Sequence, residues 1–106
     1  MRPTSGAGFT GVGGGDDPCA LPVELARVRR AQALLVSSPR DALSVLDVWE
    51  RDCARGTLVE ERLALRALAL CAQHERDLGR AILRDLRARF PTSPALERVD
   101  RACAAP

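Results

Sequence analysis

Acid–base or nucleophilic chemistry needs a histidine or a cysteine held among partners, and this chain has one histidine and four cysteines. His74 lies in "QHERD", with Glu75 and Asp77 beside it. A catalytic imidazole requires a nucleophile to activate and a carboxyl group to orient it. Here the acidic neighbours belong to a short polar turn, where such residues commonly serve only to face water. The pattern argues against an enzyme. Cys19, Cys53, Cys71 and Cys103 are widely separated, with no CxxC or HxxxH spacing, so the ligand set of a zinc site is missing and no metal or cofactor is expected. Four cysteines otherwise allow three pairings.

A second feature with chemical potential is the row Arg76, Arg80, Arg84 and Arg87, spaced by four, four and three residues and so sharing one helix face. Such a ridge can bind a phosphate backbone or an acidic partner. It can equally be a solvated outer face, with Asp77 and Asp85 interleaved, and this is the preferred reading. The net charge is only +2, and every basic residue is arginine. A balance this even gives no general electrostatic case for nucleic acid or for an anionic membrane surface. A nucleic-acid-binding regulator using this ridge stands as the alternative function, with a steep loss of affinity in salt as its signature.

The elements that must position these residues are helices. Apolar residues make up 46% of the chain but aromatics only 3%, so Leu and Ala dominate and favour helix over strand. The first twenty residues carry six of the eight glycines and few large apolar side chains, which predicts a disordered tail or linker over 1–20. No apolar run is long enough to cross a bilayer, and no basic-then-apolar leader opens the chain, so an export signal would have to lie upstream. Leu21, Leu25, Val28, Ala31 and Leu35 mark a first helix after Pro22. A second, about 39–54, carries Ala42, Val45, Leu46, Trp49 and Cys53 on one stripe. Thr57 and Glu60 match a capping box for a third, whose centre is apolar nearly all round and so must be covered on more than one side. A fourth, about 76–90, turns Leu78, Ile82, Leu83, Leu86 and Phe90 inward, and Ser93–Pro94 opens a short fifth. Short connections make sequential helices antiparallel.

The second pair of helices repeats the first. Ala42 and Gly79 differ by 79 − 42 = 37, and the same offset relates Leu46 to Leu83, Trp49 to Leu86 and Ala54 to Pro91. One hairpin per period of this size lies near the 34-residue tetratricopeptide repeat, and a helix-turn-helix reading of the Arg-rich hairpin fits the period less well. The unit at about 60–93 resembles that family. Leu63, Ala67 and Leu70 fall at its large, small and large positions, and Gly79, Leu83, Leu86 and Pro91 at its small, large, usually small and proline positions. His74 replaces the usual turn glycine, and Leu86 is larger than the usual alanine. The first unit, about 23–56, departs further, with Arg29 and Arg30 at a large and a small position and Ala54 in place of the closing proline. The stretches "SPRDALSVLDVWE" and "ARFPTSPALERV" also look like bacterial envelope-associated repeat domains of the myxobacterial type, in which a low-complexity linker precedes the repeats.

The resemblance implies an all-α fold: a short right-handed solenoid of about five helices, with hairpins 21–54 and 57–90 and a capping helix 93–104. It implies a non-catalytic adaptor or scaffold that binds a peptide or helix of a protein partner in a bacterial envelope or regulatory assembly. The first helix of each hairpin would line a concave face, which in the second unit presents Glu61, Ala64, Leu65, Leu68, Cys71 and Ala72. That mostly apolar strip is either buried under another helix or docks an amphipathic helix or extended peptide. The Lys/Asn clamp of co-chaperone members is missing. Two repeats are fewer than the three usually needed, so the fifth helix or self-association must complete the stack. In such a stack Cys71 and Cys103 lie late in neighbouring helices and could bridge; the other reading keeps all four cysteines as small core residues with free thiols. A bridge would favour the periplasm or envelope, free thiols the cytoplasm.

Overall fold

The structure, a computed structural model, describes residues 17–104. It is all-α: α1 (Leu21–Ser37), α2 (Pro39–Asp52), α3 (Val59–Ala72), α4 (Arg76–Arg89) and α5 (Ala95–Ala104), with no strand among the described residues. Most of the expected tail, 1–16, lies outside the described residues. Its last four residues differ from the expectation. Ala20 N–H donates to the Asp17 carbonyl at 3.0 Å and Cys19 N–H to Asp17 Oδ1 at 2.8 Å, so Asp17–Ala20 form a turn that leads into α1.

Local chemistry accounts for most helix boundaries. Ser38 separates α1 from α2, and its hydroxyl accepts from Asp41 N–H at 3.4 Å while Pro39 occupies the first turn, where no amide hydrogen is needed. Ser93 Oγ accepts from Ala95 N–H at 3.2 Å at the start of α5. The expected Thr57–Glu60 capping box does not form. Leu58, whose side chain has no acceptor, is the N-cap, and Thr57 N–H is taken by Glu24 Oε1 of α1 at 3.0 Å. A tertiary acceptor has replaced the local one. At the other end of α3, Glu75 N–H reaches the Leu70 carbonyl at 2.9 Å and His74 N–H the Cys71 carbonyl at 3.1 Å, the paired bonds of a Schellman motif. His74 takes the left-handed conformation that this motif demands, with φ 67°.

The 37-residue period is structural. α2 and α4 start 76 − 39 = 37 apart and end 89 − 52 = 37 apart. Ala42 and Gly79, Leu46 and Leu83, and Trp49 and Leu86 are all buried at matching positions. α3 contacts every other helix, and α5 closes the stack against α3 and α4. One core cluster joins Val28 and Ala31 of α1 to Leu46 and Trp49 of α2, Cys53 and Leu65 of α3. The other joins Ala64, Ala67 and Cys71 of α3 to Leu83 and Leu86 of α4 and Val99 and Cys103 of α5. Small residues in α3 permit this two-sided burial: Ala67 and Ala69 have no exposed surface.

Three residues expected inside lie outside. Leu21 and Leu25 are 45% and 37% exposed and Leu78 is 55% exposed. In α1 the inward stripe is Glu24, Val28 and Ala31, and in α4 it is Gly79, Leu83 and Leu86. Val28, Ala31, Leu83 and Leu86 are inward as expected, but Glu24 and Gly79 take the core positions next to Leu25 and Leu78.

Candidate functional site

A buried polar junction ties the first hairpin to α3. Glu24 has no exposed surface, and its carboxyl oxygens accept from Trp49 Nε1 at 3.1 Å and from Thr57 N–H at 3.0 Å. Gly56 packs directly on that carboxyl. Arg62 of α3 is also buried; it donates at 2.7 Å to both the Cys53 and Ala54 carbonyls, and its guanidinium lies 5.3 Å from the Trp49 ring centroid. Desolvation lowers the Arg62 pKa from the usual guanidinium value, with Glu50 and Glu24 acting in the opposite direction. Every polar atom named here has a partner, so the junction is a satisfied structural network. The α2–α3 loop, which has no regular backbone bonds of its own, is held by side chains from α1 and α3.

The surface above this scaffold carries a groove of about 240 Å³. Ala64, Leu65, Pro94 and Ala95 give it an apolar lining, Gln32 contributes from α1, and Glu60, Glu61 and Arg98 supply charge. Three helices therefore build it, α1, α3 and α5, which are the first helix of each hairpin and the closing helix. Leu21, Leu25 and Val36 fall eleven and seven residues before and four after Gln32, hence on its stripe of α1. All three are exposed, and with Gln32 they form an apolar ledge along one face of α1. None of Glu60, Glu61 and Arg98 takes part in an ion pair among the described residues. The cavity is smaller than most sites that enclose a drug-sized molecule, and its size suits one side chain of a longer ligand. A second depression, of about 300 Å³ between Arg27 and Arg30 of α1 and Val45 and Val48 of α2, is almost wholly apolar and has few polar groups to orient a ligand.

The expected concave-face residues divide among three locations. Glu61, Ala64 and Leu65 line the groove. Ala64 and Leu65 are nevertheless core residues, because α3 is sandwiched between its neighbours. Leu68 packs against the second core cluster, and Ala72 is exposed at the far end of α3. Of the two outcomes expected for the α3 strip, burial holds for its middle, which α1 and α5 cover; the exposed leucines and valine lie on α1.

Within the arginine row, Arg80 Nε donates to the Cys103 carbonyl at 3.2 Å, and Arg76 is only half-exposed, with its Nε buried. Arg84 and Arg87 are exposed. The row is therefore partly a brace between α4 and α5. His74 is exposed in its turn, and no cluster of metal-ligating side chains occurs among the described residues. Cys71 is bonded to Cys103 and Cys19 to Cys53, which leaves no free thiol. Sequence reasoning missed the Cys19–Cys53 pair because Cys19 was assigned to the tail. It also missed Glu24 and Arg62, since charged residues on helices read as solvent-facing.

Fold and site together define a small, disulfide-bonded stack of helical hairpins with an open groove on one face. No protein family model, characterised protein or solved structure matches the chain.

Proposed function

We propose that this protein is a non-catalytic interaction module, built on a tetratricopeptide-like plan, that holds an extended peptide segment of a protein partner in the groove across α1, α3 and α5. The observation that carries this reading is the groove itself. It combines an apolar lining, unpaired charges of both signs and an adjoining exposed apolar ledge, on the helices that would form the inner face of a hairpin stack. An extended peptide uses such features together: its main chain can meet Gln32 and Arg98, a small side chain can enter between Ala64 and Ala95, and a basic side chain can meet Glu60 and Glu61. The resemblance to envelope-associated repeat domains supports a bacterial envelope setting. The disulfides support an oxidising compartment.

Glutamate at Leu65 would be an unsuitable test, since it would bury a carboxyl in the core and unfold the domain. Ala95→Trp fills the groove from its half-exposed rim. Displayed peptide libraries selected on the wild-type protein should yield ligands that lose at least about tenfold in affinity, roughly 1.4 kcal/mol, for an Ala95→Trp variant with unchanged circular dichroism. Equal affinity for both proteins would reject the groove as the binding site.

A further inference from the structure

The two disulfides have different surroundings. Cys71 and Cys103 are 5% and 1% exposed and lie within the second core cluster, against Gly79 and the Ala67 carbonyl. Cys19 is exposed, ahead of α1, while its partner Cys53 is 2% exposed at the C-terminal end of α2. The Arg55 carbonyl packs against both sulfurs of that pair. From this asymmetry we propose that Cys19–Cys53 is a thiol–disulfide exchange site, attacked at Cys19 by a dithiol partner, while Cys71–Cys103 does not exchange in the folded protein.

The exchange balances as follows. A thiolate of the dithiol approaches Cys19 Sγ from solvent and bonds to it as the Cys19–Cys53 bond breaks. The electron pair leaves on Cys53, which takes a proton from water. The second thiol of the partner then displaces Cys19 as a thiolate and closes the partner into its own disulfide, so two electrons pass to this protein. Access selects Cys19 as the sulfur attacked.

What exchange releases is local. Glu24 ties α1 to α2 and to the α2–α3 loop through bonds from Trp49 and Thr57 that involve neither sulfur. The covalent bond adds the attachment of Asp17–Ala20 to the end of α2. It acts as a latch on the segment entering α1, and the stack does not depend on it for closure.

Full-length native protein should be exposed to limiting dithiothreitol, quenched with N-ethylmaleimide at intervals and mapped by mass spectrometry. Cys19 and Cys53 should become alkylated faster than Cys71 and Cys103 by at least on the order of tenfold, since the buried pair must wait for local opening, with helical circular dichroism retained. Thioredoxin lacking its resolving cysteine should trap a mixed disulfide on Cys19. Equal rates, earlier reduction of Cys71–Cys103, a trapped adduct on another cysteine or on none, or helix loss accompanying reduction of the first pair would each overturn the proposal.

Discussion

At Gly56 the space that a side chain would need is filled by the carboxyl of Glu24, which is placed there by its bonds to Trp49 and Thr57. A Cβ at this position would run into both carboxyl oxygens, and neither can move without giving up a buried donor. Gly56→Ala should therefore destabilise the domain by about 1–3 kcal/mol, as overpacking of a tight site does, seen as a lower midpoint in urea with an unchanged slope. A shift below half a kcal/mol, the range of ordinary surface substitutions, would show that the Glu24 network is softer than its geometry states. The network was illegible in the sequence for a physical reason. Glu24 and Arg62 belong to residue types that are rarely fully buried unless paired, and their partners are a tryptophan 25 residues away and the backbone of a loop. A glycine just after a helix suggests only a terminator, and nothing local reveals the carboxyl packed on Gly56.

Among the elements, α2 and α4 were the most legible, because strong apolar periodicity fixed their length and phase and the offset of 37 between them survives at both ends. The boundary at α3 was misread because Thr57 N–H, just ahead of the helix, is taken by Glu24 of another helix, a contact that no local pattern encodes. Its last turn closes on His74, whose φ of 67° lies in the left-handed region that glycine adopts most easily. A non-glycine residue in the left-handed region carries strain, although histidine tolerates it better than most. His74→Gly relieves that strain but gives the unfolded chain more freedom. The net expectation is a gain of up to about 1 kcal/mol, whereas His74→Val should lose at least that amount through β-branching at positive φ. Thermal unfolding of the two variants should separate in opposite directions from wild type. Equal destabilisation by both would mean that the imidazole makes a contribution of its own.

For the whole molecule, each of the two core clusters contains a bridged cysteine, and the second contains both ends of its bridge. The second cluster includes a bridge that closes α3 onto α5 across 32 residues, with a Cα–Cα separation of 5.2 Å. Replacing both Cys71 and Cys103 by alanine should cost about 2–4 kcal/mol, chiefly by freeing the unfolded chain, and should loosen α5 before the first hairpin. Hydrogen exchange on α5 compared with α2 would check this; uniform loss of protection would indicate a single cooperative unit without a weak end. The fold class was legible because helix period and composition agree. The groove's composition was not, since only packing decides that Ala64 and Leu65 are buried while Leu21 and Leu25 are exposed. The bridge also constrains how the chain can change. Gly79 abuts Cys71 Sγ, with Cys103 Sγ at 3.3 Å and the Ala67 carbonyl at 3.2 Å from where a Cβ would stand. Alanine at 79 is thus excluded while the sulfurs are present; without them the severe clash is gone and only the tight 3.2 Å contact with the Ala67 carbonyl remains. The two sites are epistatic: a lineage that loses the bridge first can later regain packing at 79, and the reverse order passes through a clash.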